Sequence, residues 1–247
     1  MGTSKSYTAP STPEWRKLKT NITREARQGR PSTPTIQNII NEYVTAGGGA
    51  SRISKGRGTF GGAKPAQNVA RGIAGFISTV GAQGFREALR KIGLDSLEGK
   101  SVSEISSFLL DAFASSSNTI DDIDTRSALS RLMNDLFNGA QTIEDIERIL
   151  EEQTQGQHLN DLLFKFFGYY IYEQFSRVFY ERLVARVGED QANKFLNGIH
   201  DYVKSALKYK TYDKDIKQID WNGSEGKRIV DEILREALDV FGGNYAS

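Results

Sequence analysis

Every proline of this 247-residue chain falls in its first 65 positions, at Pro10, Pro13, Pro31, Pro34 and Pro65. From Ala66 to the end there is none. Proline removes a backbone donor and clashes with the preceding turn, so a long stretch without it leaves helices free to extend. Apolar residues in that stretch recur at spacings of three and four, and nowhere do they alternate with polar residues as a half-buried strand requires. The sequence therefore predicts an all-α protein: a helical bundle-like domain preceded by a flexible N-terminal tail and two short amphipathic helices.

The domain falls over residues 66–247. Val69, Ile73, Phe76, Ile77 and Val80 form one helical stripe, with Ala66, Ala70 and Ala74 beside it. Ser101 and Glu104 have the spacing of a capping box, followed by Ile105, Phe108, Leu109, Ala112 and Phe113. Further helices carry Leu129, Leu132, Met133, Leu136 and Phe137, then Ile146, Ile149 and Leu150. Leu159 to Val187, dense in Phe and Tyr, reads as the central helix of the core and stops at Gly188. Two amphipathic helices, near 190–208 and 226–241, complete the set.

Ahead of the domain, residues 1–12 are rich in Ser, Thr, Pro and Gly and cannot pack a core. Residues 13–46 hold two helices with narrow apolar stripes: Trp15, Leu18 and Ile22, then Ile36, Ile39, Ile40 and Tyr43. Such stripes suit docking on a single surface. Residues 47–65 read as a glycine-rich basic linker without periodicity.

The net charge of +1 conceals an asymmetry. Residues 1–91 carry fifteen Lys and Arg against four acids, and the remainder carries the opposite excess. In the linker, Arg52, Lys55, Arg57 and Lys64 stand beside Phe60, a set that could grip a nucleic-acid backbone or an acidic protein surface. Gly56, Gly58 and Gly61 match the dinucleotide glycine spacing, but no strand precedes them and no acid follows at the required distance.

Catalytic chemistry finds little to work with. The chain has no cysteine, and its two histidines, His158 and His200, have no HExxH context. Asp121, Asp122 and Asp124 sit where a helix begins and carboxylates favour the macrodipole, and Glu151 with Glu152 reads as a solvated helix end. No enzyme activity, metal or cofactor is expected. The longest apolar runs, Gly72–Ala82 and Leu162–Tyr172, are too short to cross a bilayer, so a cytoplasmic protein is expected. Met1, Gly2 and Ser6 satisfy the myristoylation pattern, with Lys5, Arg16, Lys17 and Lys19 as a basic supplement, so a myristoylated, membrane-associated structural protein is one alternative reading. A nucleic-acid-binding protein using the basic loop is the other.

The order of segments carries a sharper likeness. An "MGTS" start and a Ser/Pro tail lead into the basic helix "PEWRKLKTNITREARQG", and then into "IINEYVTAGGGASR" and the glycine linker. "ARGIAGFISTVGAQGFREALRKIGL" and "LEGKSVSEISSFLLDAFASSSNTIDDIDTRSALSRLMNDL" come next, before an aromatic helical C-terminal region. In these segments the chain resembles the QatB family, the B components of the Qat anti-phage defence systems of bacteria. That resemblance implies three partners: an ATPase, a QueC-like enzyme and a TatD-like nuclease. It also implies that the QueC-like enzyme attaches a deazaguanine base to the N-terminal amine of Gly2, with Thr3 and Ser4 as recognition neighbours. The chain would then be substrate and scaffold. On this reading, the stripes of residues 13–46 would bind the QueC-like partner, and residues 66–247 would fold alone.

Overall fold

The computed structural model describes residues 12–55, 63–114, 119–155, 157–205 and 218–241. Among them are eleven helices and no strand: α1 (Pro13–Ala26), α2 (Thr33–Ala46), α3 (Ala50–Ser54), α4 (Lys64–Gln83), α5 (Phe85–Lys91), α6 (Val102–Phe113), α7 (Ile120–Leu136), α8 (Ile143–Glu152), α9 (His158–Val187), α10 (Glu189–Ser205) and α11 (Ser224–Phe241). The all-α architecture read from the proline distribution and the periodicity is the one observed.

Local chemistry sets the helix starts. Thr12 and Ser32 each accept a backbone N–H of the first turn, and Pro13 and Pro34 occupy the first turns, where a missing donor costs nothing. Ser101 with Glu104, Thr119 with Asp122 and Thr142 with Asp145 close full capping boxes. Asp121 and Asp122 lie in the first turn of α7, as their sequence position suggests. Gly188, at φ 83°, ends α9 in a backbone conformation that other residues rarely adopt.

α9 is the axis of the molecule. Leu163, Phe166, Phe167, Tyr170, Phe175 and Phe179 are all buried, and α7, α10, α11, α4 and α1 pack around it. A helix apolar on every side needs partners on every side. The crossing with α10 and α11 is close because Gly168 faces them. A Cβ there would lie 2.6 Å from Phe241 Cζ and 2.8 Å from Val203 Cγ1.

Against α7 the contact is polar as well as apolar. Arg177 holds the buried Asp124 with Nε 2.9 Å from each carboxylate oxygen, Arg131 pairs with Glu173, and Tyr169 donates to Asp135. The residue numbers fall along α7 as they rise along α9, so the three links form a ladder down an antiparallel pair.

Two expectations meet a different arrangement. Residues 13–46 are not set apart from residues 66–247: α1 packs on α9 and α10, α2 packs on α11, and their apolar residues belong to one continuous core. The basic linker is partly structured too. Ala50–Ser54 is a short helix with Ile53 and Ser54 buried, and α4 already begins at Lys64. No helix among the described residues is long and apolar enough to cross a membrane.

Candidate functional site

The N-terminal helices were expected to present apolar stripes to a partner. In the structure those stripes face inward. Trp15, Leu18, Ile22, Ile36, Ile39, Ile40 and Tyr43 are each 2% exposed or less. The Trp15 ring lies 5.2 Å from that of Phe179, and Tyr43 stands edge-on to Phe175 at 5.5 Å. The helices are amphipathic as their spacing predicts, but they dock on the chain's own core, α1 on α9 and α10 and α2 on α1 and α11. A partner meeting α1 and α2 would touch their polar faces.

The polar face of α1 is strongly cationic. Arg16, Lys17 and Arg24 are exposed and line, with Thr20, Asn21 and Glu42, a shallow depression of about 380 Å³. On the side toward α2, Glu42 takes an ion pair from Lys17 at 3.1 Å and a hydrogen bond from Asn21 at 2.9 Å. On the side toward α9, Lys19 has no carboxylate partner among the described residues. Lys19 Nζ lies 5.8 Å from the centre of the Trp15 ring, next to Arg182. Burial, and then the charges of Arg182 and Arg16, push the Lys19 ammonium below its usual value.

The loop cations are scattered by comparison. Arg52 and Lys55 are exposed at the end of α3, Lys64 is exposed at the start of α4, and Arg57 lies outside the described residues, as do Gly2, Thr3 and Ser4. What holds α3 in place was not visible in the sequence. Ser54 Oγ accepts from Arg235 Nε at 3.1 Å, Ser54 carbonyl accepts from Gln67 Nε2 at 2.8 Å, and Arg235 is braced by Asp231 at 2.6 Å. Ser54 and Arg235 lie far apart in sequence, and no local pattern announces their contact.

The acidic and imidazole groups take structural positions. Asp122 closes a helix cap, and Asp124 is enclosed with Arg177. Burial pushes the Asp124 carboxyl up, with the Arg177 hydrogen bonds and charge pulling the other way. Glu152 pairs with Arg148 at 2.9 Å, and its backbone oxygen lies 2.8 Å from His158 Nδ1. His200 lies between the rings of Tyr169 and Tyr172, at 5.7 and 5.2 Å. Among the described residues no group of three or more His, Cys, Asp or Glu could hold a metal ion.

One cluster was missed by sequence reasoning. Asp135 receives Lys204 at 2.8 Å, Lys165 at 3.5 Å and the Tyr169 hydroxyl, gathering groups from α7, α9 and α10. Burial opposes its ionisation, but Lys204, Tyr169 and Lys165 together outweigh it and hold the carboxyl below its usual range. Burial and the Asp135 carboxylate push the Tyr169 hydroxyl up in turn. The cluster borders a groove of about 560 Å³ between α7, α8 and α9 whose walls mix Arg148, Lys165 and His158 with Glu152 and Asp161. Its charges are paired with each other, which suits a brace between helices.

Comparison with known proteins places this arrangement. The family model described as "Qat anti-phage system associated protein QatB" matches residues 57–241, from the end of α3 through α11. No curated protein and no solved structure matches the chain. The matched segment contains the whole α4–α11 assembly around the aromatic α9, and by that match the chain belongs to the QatB family of Qat anti-phage system proteins.

Proposed function

We propose that this protein acts in its anti-phage system as a non-enzymatic scaffold and substrate, presenting its N-terminal segment to a QueC-like partner that attaches a deazaguanine base to the amine of Gly2. The observation that carries the reading is the rooting of that segment. Thr12 caps α1, and three residues later Trp15 is locked against Phe179, so whatever precedes Thr12 is carried by the rigid core. The segment itself, Gly2-Thr3-Ser4 onward, is small and polar. An α-amine has a pKa of about 8, so a useful fraction is neutral and nucleophilic near neutrality. A glycine bearing that amine offers no side chain to obstruct a closely fitted active site.

The ATPase and the TatD-like nuclease of such a system would be further partners. Gly2→Ala tests the reading. The residues around Gly2 are too small and polar to build a core, so the substitution should change folding stability by no more than about 0.5 kcal/mol. Protection against phage should fall sharply, because an added methyl misplaces the nucleophile. Full protection by the Gly2→Ala protein would refute the role given to Gly2.

A further inference from the structure

α1 and the C-terminal end of α9 bring together four cations that no described residue neutralises. Arg16 and Lys19 stand on successive turns of α1, and Arg182 and Arg186 on successive turns of α9. The pairing of the helices is fixed beneath them by the stack of Trp15 on Phe179. Several surface cations elsewhere have carboxylate partners: Lys17 has Glu42, Arg30 has Asp201, Arg148 has Glu152 and Arg228 has Glu232. The four at this edge have none among the described residues. Arg182 Nε is also enclosed without a hydrogen-bond partner. Burial and Arg186 push the Arg182 guanidinium down, as burial and Arg182 push Lys19 down. Holding like charges together, partly desolvated, is costly unless an anionic group meets them.

We infer that this edge is the docking site for a carboxylate-rich surface of the enzyme that acts on the N-terminal segment, an inference that rests on the proposed function. Position favours that occupant. Arg16 lies in the first turn of α1, at the root of the segment, and the ten residue steps from Gly2 to Thr12, the cap of α1, reach at most about 35 Å. An enzyme held at this edge therefore keeps its active site within reach of Gly2. Three of the four cations are arginines, whose planar forks grip carboxylates in pairs. A protein surface suits the patch better than a nucleic acid, because it is compact and the aromatic pair beneath it, Trp15 and Phe179, is buried and cannot stack on a base.

The test is co-purification of the QueC-like enzyme from cells expressing the operon. It compares the wild-type chain with Arg16→Glu/Arg186→Glu, both exposed positions, and with Lys100→Glu/Lys227→Glu as a control of equal charge change. Thermal melts of all three establish that each folds. Recovery of the enzyme should fall at least tenfold for the first variant only, and wild-type recovery should weaken as salt rises. Equal recovery by Arg16→Glu/Arg186→Glu and wild type overturns the inference while leaving the proposed function standing. A wild-type chain that recovers no enzyme refutes the proposed function and this inference with it. A 20-base-pair DNA probe is added in parallel. Binding that the first variant loses, with enzyme recovery intact, would assign the edge to nucleic acid and overturn the inference.

Discussion

The indole of Trp15 in α1 lies against the ring of Phe179 in α9, centroids 5.2 Å apart and planes inclined by 31°. Tyr43 of α2 meets the same Phe179 at 6.3 Å, so residues from three helices share one aromatic contact. This contact joins the first helix of the chain to its central one. It makes residues 13–46 part of the core and turns the cationic face of α1 outward.

Trp15→Ala should therefore act on folding first. Removing a fully buried indole costs about 3–5 kcal/mol in lost burial and residual cavity. The urea midpoint of the whole chain should fall accordingly. A midpoint shifted by less than about 1 kcal/mol would place Trp15 outside the cooperative unit.

Deleting residues 1–46 gives a related outcome. From sequence, residues 66–247 look self-sufficient because they hold most of the large apolar stripes. In the structure, removing α1 and α2 uncovers Phe175, Phe179 and part of α11. The shortened chain should melt at lower temperature with less cooperativity and bind a hydrophobic dye. A sharp melt at the full-length temperature would contradict this.

Gly168→Ala probes the opposite side of α9. The added methyl would meet Phe241 and Val203 at under 3 Å, and both are themselves buried. Overpacking of this kind costs about 1–3 kcal/mol. Gly84→Ala is not an equivalent control, because Gly84 sits at φ 87°. A suitable one is Gly75→Ala, where the nearest atom, Trp221 Cβ, is 3.8 Å away. The two variants should separate clearly in a thermal melt.

Asp135 should make stability depend on pH. Its folded carboxyl titrates below the ordinary value, so the stabilisation is fully present above the unfolded pKa of about 3.9. It is lost as pH falls through the lower, folded pKa. Asp135→Asn should thus be less stable than wild type at pH 6, with the difference shrinking as pH drops below about 4. A difference that stayed constant from pH 6 to pH 2 would show that the Lys204, Tyr169 and Lys165 contacts do not act through its charge.

Much of the fold was legible because helix chemistry is local. Ser101 and Glu104 announce their cap, Gly188 its stop, and the run of Phe and Tyr from Phe164 to Tyr172 its burial. Partnership was not legible. The stripe Trp15–Leu18–Ile22 reads the same whether it meets another protein or Phe179 of its own chain, since periodicity reports a face and not what covers it. The same holds for charge. The excess of cations before residue 92 was plain, yet which ones remain unpaired depended on Glu42 facing α1 from α2 and on Arg182 arriving from α9. Ser54 with Arg235 and Asp135 with Lys204 join residues far apart in sequence, and neither leaves a local signature.

The central claim is that Gly2 is a site of covalent modification. Its most direct test is the intact mass and N-terminal peptide sequence of the protein made with the whole operon, and again with the QueC-like gene deleted. The expected product is a chain starting at Gly2 that carries a nitrogen-rich, ultraviolet-absorbing adduct on its amine only when that enzyme is present. An unmodified or lipid-bearing Gly2 in protein from cells that resist phage would contradict it.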